Sequence, residues 1–360
     1  MSDTPSVMPA LARIGTSLQT ANWRNVAVTL AVGTAGAFAF SFFGLPAAFL
    51  SGSMVAVAAS GMLRFPTEIP DAVRDLCFFA IGLAMGAGVS PDSLARAVQW
   101  PLSLAILTLA VFAIGTGVFV FLHRVAGWDG KTAFYACIPG ALTFVMALAE
   151  RSEADLRFVA VSQSIRLFFL VAILPLVLIG TSGGAPPSGP VDPVMAVGDG
   201  LILVCFALVV TLLFVRLKVP AATMVGPFMA SVALFATGIV SGALHPFIIN
   251  GALIVLGGLI GWRFGSIELS MLRRLVLASV GALMVGLSIA VAFSGLAVAL
   301  TGLDFGQVLL AFAPGGLEAM VILAFLFDLD PAYVAAHQVA RLVGMMLFLP
   351  VIVALMGRRA

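Results

Sequence analysis

Charge is the scarcest commodity in this chain. Asp, Glu, Lys and Arg make up 9% of its 360 residues, against 62% hydrophobic residues and a mean hydropathy of +1.18. That little polar surface excludes a soluble globule. Histidine is nearly absent: His123, His245 and His337 are the only three, each in a different segment, and such scattered imidazoles supply no metal cluster and no copper oxygenase site. Cys77, Cys137 and Cys205 form no Cys-x-x-Cys pair and read as small packing residues rather than a disulfide or redox set. No Lys-Ser/Thr follows the glycine-rich runs Gly82–Gly88 and Gly257–Gly265, so they suit close helix packing better than phosphate. A net charge of +2 without a dense basic block excludes a nucleic-acid partner. Residues 1–25 lack the short apolar core and cleavage site of a signal peptide, so Val26 onward reads as a retained first span.

What the chain does have is long apolar runs. Twelve of them, six per half, are rich in Ala, Leu, Val and Gly, and several reach the length of about 20 residues that a helix needs to cross a hydrocarbon core. They lack the period-2 alternation of a membrane barrel, so the fold expected is an all-α polytopic membrane protein. The halves match each other. Pro314-Gly315-Gly316, Asp330, Gln338, Arg341 and Pro350 fall on Pro139-Gly140-Ala141, Asp155, Gln163, Arg166 and Pro175 when 175 is subtracted. At an offset of 174, Val219-Pro220-Ala221-Ala222 falls on Leu45-Pro46-Ala47-Ala48. The repeats are 26–180 and 199–357, joined by the Gly/Pro/Ser-rich linker 181–198.

Basic residues set the orientation. Twelve full spans would divide them evenly, eight inside and eight outside, with Arg166 and Arg341 in the membrane. If 132–148 and 306–326 instead enter, turn at the Pro-Gly tip and leave on the same side, fifteen of the eighteen lie inside and Arg96 alone lies outside. The second arrangement gives each repeat five transmembrane helices plus one re-entrant hairpin, and the odd number of crossings inverts one repeat against the other. It places residues 1–25 and 358–360 in the cytoplasm, the linker outside, and the protein in a bacterial-type inner membrane. Proline and glycine in mid-segment agree with it, since broken backbone at membrane depth needs protein or a water-filled cavity around it.

Arg166 and Arg341 lie about ten residues into their spans, too deep to reach the interface easily, and an intramembrane charge is a functional candidate by default. Gln163 and Gln338 precede them by three residues, on the same helix face. Each pair presents an amide and a planar guanidinium fork, which suits a carboxylate. The substrate-binding candidates are therefore Arg166, Arg341, Gln163, Gln338, Pro139, Gly140, Pro314, Gly315 and Gly316. A structural reading stands beside this one: Arg341 pairs with Glu318 and Arg166 with tip carbonyls, pinning hairpin to helix. Coupling-ion candidates are Glu318, its counterpart Thr143, and Asp155 and Asp330, the last two also placed to cap helices. The coupling ion is a proton or sodium, and no other cofactor or metal is called for.

These paired motifs make the chain resemble the duplicated membrane AbrB family over nearly all of its length after residue 25, with a departure at Ala141, where a second tip glycine is expected. Members of that family also circulate as ammonia monooxygenases and as AbrB family transcriptional regulators. The resemblance implies that either label could attach here. The scattered histidines argue against the oxygenase, and no soluble stretch exceeds the roughly 25 residues that leave a DNA-binding domain no room. Inverted repeats with broken segments look like bile-acid/sodium symporters and 2-hydroxycarboxylate carriers, by analogy of fold. The expectation is a secondary active transporter of a small, carboxylate-type anion, working by alternating access with a mobile hairpin-containing core. A membrane-embedded regulatory sensor, acting indirectly on gene expression, is the alternative, and an enzyme comes third. The partners are the lipid bilayer and a small-molecule solute, and a homodimer is compatible with the sequence.

Overall fold

A computed structural model describes residues 19, 21–87, 100–139, 142–150, 152–182, 193–217, 219, 221–265, 267 and 269–357. The described residues form helices α1 (Trp23–Phe42), α2 (Ala48–Met62), α3 (Asp71–Ala87), α4 (Trp100–Val120), α5 (Gly130–Cys137), α6 (Leu142–Ala149), α7 (Leu156–Ser182), α8 (Val197–Arg216), α9 (Ala222–Ala236), α10 (Pro246–Trp262), α11 (Leu269–Thr301), α12 (Phe305–Phe312), α13 (Leu317–Leu326) and α14 (Pro331–Gly357). A π-turn over Phe121–Val125 prolongs α4, and an isolated bridge joins Val194 to Ala243.

Among the described residues six helices, α1, α4, α7, α8, α11 and α14, are long and apolar enough to cross a membrane. Large apolar side chains face outward: Phe42 is 85% exposed, Leu277 82% and Phe247 80%. Surface of this kind requires hydrocarbon around it. The chain is an all-helical, multi-pass membrane protein.

The helix boundaries repeat as the sequence does. α1 and α8, and likewise α2 and α9, begin and end 174 residues apart; α3 and α10, α5 and α12, and α7 and α14 begin and end 175 apart. Even a backbone oddity recurs, since Ala47 and Ala221, directly before α2 and α9, are both left-handed, at φ 49° and 53°.

The chain divides into two compact units that cut across the repeats. One comprises residues 1–94, 184–267 and 325–331, and the other 95–183, 268–324 and 332–360. The first takes α1–α3 from one half and α8–α10 from the other. Within it α3 packs on α9 and α10 on α2. A Cβ on Gly82 would lie 2.5 Å from the Met224 carbonyl oxygen, and one on Gly257 would lie 2.2 Å from that of Leu50. These are equivalent contacts, exchanged between the halves, and only glycine permits them. Gly82, Gly86, Gly257 and Gly261 are packing positions.

The second unit holds the interrupted segments α5–α6 and α12–α13, with α4, α7, α11 and α14. Asp129 caps α5 by accepting from the Thr132 N–H at 2.9 Å, and Asp304 caps α12 by accepting from Gly306 and Gln307. Burial raises the pKa of the Asp129 carboxyl, but the hydrogen bonds it receives around Thr132 outweigh that and hold it below the usual range. Lys131 at the start of α5 lies 2.6 Å from Glu153, and the Asp155 N–H donates to Thr132 Oγ1 at 2.8 Å. A continuous helix would hold residues 131 and 153 about 33 Å apart, at about 1.5 Å per residue. The first interrupted segment therefore ends where it began.

Candidate functional site

A helical carbonyl normally accepts from the N–H four residues on. Tyr135 and Leu310 stand four residues before Pro139 and Pro314, which have no N–H to give. In both places a glutamine supplies the missing donor. Gln163 Nε2 donates to the Tyr135 carbonyl at 3.4 Å, and Gln338 Nε2 donates to that of Leu310 at 2.8 Å and of Ala311 at 3.3 Å.

Proline also drives the residue before it out of the helical region. Ile138 (φ −68°, ψ 121°) and Ala313 (φ −55°, ψ 137°) are accordingly extended, so their carbonyls leave the helices. The arginines collect them. Arg166 Nη2 donates to the Ile138 carbonyl at 3.2 Å. Arg341 Nη1 donates to Ala313 and Nη2 to Gly315, both at 2.6 Å, and Nη2 also donates to Gln338 Oε1. Glutamine and arginine, three residues apart on one helix face, thus repair successive breaks in a neighbouring chain segment.

At the second tip the Gly315 N–H returns to the Ala313 carbonyl at 2.8 Å, closing a three-residue turn around Pro314. A Cβ on Gly315 would meet the Met320 side chain at 2.7 Å, whereas one on Gly316 would meet nothing nearer than 3.6 Å. Position 316 therefore has room for alanine, the residue that the first repeat carries at its equivalent, Ala141.

Glu318 lies in the first turn of α13, where a helix dipole favours a carboxylate. The pairing of Arg341 with Glu318 is corrected by the structure. Among the described residues the ion pairs are Arg74 with Asp71 and Asp75, and Lys131 with Glu153, and Arg341 is held by carbonyls instead. The carbonyls freed at the tip lie within reach of its guanidinium and need donors, and the acid sits at a helix start that already suits its charge. Asp155 caps α7, accepting from Arg157 at 2.9 Å and Phe158 at 3.4 Å. Asp330 directly precedes α14 and belongs to the first compact unit, while the arginines belong to the second. Gly140 and the side chain of Thr143 fall outside the described residues. Among the described residues no group of His, Cys, Asp and Glu is placed to hold a metal ion.

The two tips meet. A pocket of about 480 Å³ is bounded by Arg341 together with Cys137, Ile138 and Pro139 of the first tip. A cavity of about 10 Å³, room for one water, is bounded by Arg166 with Ser162, Ser279 and Pro314 of the second. Each arginine thus holds its own tip and lines a cavity bounded by the other.

Sequence reasoning missed what surrounds His337. The ring is fully buried, with Nδ1 2.8 Å from the Tyr333 carbonyl and Nε2 2.7 Å from Ser103 Oγ. The carbonyl can only accept, so Nδ1 carries the proton and Nε2 is free to accept from Ser103. Trp100, Phe312 and Tyr333 enclose the ring. Ser103 is one more small polar residue in an apolar span and leaves no sequence signal.

The family model described as "Transition state regulatory protein AbrB" matches residues 49–357. The chain is 28% identical over 319 residues to "Putative regulator AbrB" of Escherichia coli (strain K12), covering 86% of this chain and 89% of that protein. It is 24% identical over 351 residues to "Uncharacterized protein YhjN" of Bacillus subtilis (strain 168), covering 89% and 90%. No solved structure matches.

Proposed function

Starting from the AbrB family, to which this chain belongs, we propose that the protein is a secondary active transporter of a small anionic solute of carboxylate type. One observation carries the reading: two arginines on apolar spanning helices face a common pair of tips, and backbone carbonyls, not carboxylates, hold them. Carbonyl dipoles do not neutralise a guanidinium, and two unneutralised cations at that depth favour an anion between them.

In this proposal 132–148 and 306–326 are re-entrant hairpins of two inverted repeats. The meeting of Lys131 with Glu153 and of Thr132 with Asp155 supports that reading of the first segment. The crossed glycine contacts, equivalent in the two halves, support a two-fold relation between the repeats. Alternating access then requires a mobile hairpin-containing core, with Glu318 as the candidate proton or sodium site because it places a carboxylate where the first repeat has Thr143. The printed name of the Escherichia coli relative favours a second reading, in which the chain senses a metabolite and acts on gene expression indirectly.

Counterflow in proteoliposomes separates the two. Vesicles preloaded with an unlabelled carboxylate accumulate the labelled form if the protein is a transporter. A protein that binds the same carboxylate without exchanging it is a sensor, and the transport reading falls.

A further inference from the structure

Beyond its charge, the solute has a shape that the pocket beside Arg341 defines. Among the described residues of its wall Arg341 is the only charged one; the rest is mostly apolar, running along α4 and α14 through Leu104, Phe112, Gly115, Gly344 and Phe348. The guanidinium has five N–H donors, and Ala313, Gly315 and Gln338 take three of them. Nε is buried with no partner, on a side chain only 6% exposed. Both Nη2 hydrogens are committed and Nε is shielded, so what an anion can meet from the pocket is the remaining Nη1–H and a charge that the neutral acceptors Ala313, Gly315 and Gln338 do not cancel. Along the apolar wall there is room to spare, because a Cβ at Gly115 or Gly344 would meet nothing within 4 Å.

We propose that this pocket takes an amphipathic anion, its head on Arg341 and an aliphatic tail of several methylenes along α4 and α14. The inference rests on the anion-binding reading of Arg341 and narrows it to a substrate class. A free carboxylic acid and an anionic membrane lipid share this chemistry.

The test uses the full chain in phosphatidylcholine nanodiscs, titrated calorimetrically with butyrate, octanoate and, as an uncharged control, 1-octanol. Each buried methylene strengthens binding several-fold, so octanoate is expected to bind at least about tenfold more tightly than butyrate, and octanol not to saturate. Gly115→Leu and Gly344→Leu fill the wall at positions with free space, and each is expected to reduce octanoate to the affinity of butyrate while leaving the thermal unfolding transition in place. Equal affinities for the two acids, or octanoate binding unchanged in both folded leucine variants, overturn the proposal. Replacing part of the lipid with phosphatidylglycerol distinguishes the sources: weakened octanoate binding assigns the pocket to a lipid, and unchanged binding assigns it to a free acid. Butyrate counterflow without chain-length preference refutes the amphipathic ligand and keeps the transporter. Glycine-dependent octanoate binding without exchange keeps the ligand and refutes the transporter.

Discussion

At the second tip Arg341 donates to two backbone carbonyls at 2.6 Å and is braced by Gln338, whose own amide reaches Leu310 at 2.8 Å. At the first, Arg166 reaches one carbonyl at 3.2 Å and Gln163 another at 3.4 Å. The motif is the same and so is the spacing: Gln163 to Tyr135, Arg166 to Ile138, Gln338 to Leu310 and Arg341 to Ala313 each span 28 residues. What differs is the number of donors committed and the burial, since Arg341 is buried and Arg166 only partly so. One duplicated element has thus become a tightly fastened tip, with Glu318 beside it and the larger pocket against its arginine. The other has stayed loosely held. The proline that breaks each segment also creates the acceptors that bind it to the adjacent helix.

Breaking the fastenings in turn is the way to sharpen that contrast. Arg341→Leu leaves the Ala313 and Gly315 carbonyls without their arginine donor, and it is expected to cost about 3 kcal/mol of stability, against about 1 kcal/mol for Arg166→Leu. Thermal unfolding in one detergent checks the order, and equal losses would show the two tips to be fastened alike. Gln338→Leu is expected to cost about 1–2 kcal/mol while Pro314 is present. In a Pro314→Ala background the alanine N–H can serve Leu310, so the loss should shrink; a double-mutant cycle with no coupling breaks the claim that the glutamine replaces the proline's missing donor. Gly316→Ala is expected to leave stability within about 0.5 kcal/mol, as befits a surface-like tolerance, while Gly315→Ala forces Met320 aside and costs more.

The smallest effect belongs to the first tip. Lys131 holds the Glu153 carboxyl below its usual range, by hydrogen bond and then by charge, and Glu153 in turn raises the Lys131 ammonium. A depressed carboxyl stabilises above its unfolded pKa of about 4.3 and loses that contribution as pH falls through the folded value; the raised lysine loses its share as pH rises through its own. Lys131 is half exposed and Glu153 almost wholly so, so the effect should be slight and salt-screened. Glu153→Gln is expected to flatten the acid limb of melting temperature against pH slightly, and no change there would leave the ion pair without energetic weight.

Much of this was legible in the sequence for definite reasons. Prolines and glycines within apolar runs mark breaks, and an arginine deep in a span needs a partner. The offset of 174–175 reappears in the helix ends themselves. The particular partners were not legible. That Gln163 reaches Tyr135 depends on a fold-back placing residues 28 apart side by side, and no local periodicity encodes it. The pairing of Arg341 with Glu318 was suggested by opposite charge in neighbouring segments, and nearer carbonyls took its place. The pocket wall of α4 escaped notice because Leu104, Phe112 and Gly115 look like any other residues of a membrane helix. Gly82 and Gly257 match between the halves at the 175-residue offset, but the crossed contacts they make with Met224 and Leu50 were not legible.

The central claim is that the two interrupted segments are equivalent tips entering the membrane from opposite sides. It is tested most directly by labelling single cysteines in intact cells with a membrane-impermeant maleimide, in a Cys205→Ser background, since Cys205 is the exposed native thiol. Glu153→Cys, beside the first segment, is predicted to react only after the cells are opened, and Thr301→Cys, just before the second, to react in intact cells. Labelling of Glu153→Cys from outside, or of both positions from the same side, would contradict the account.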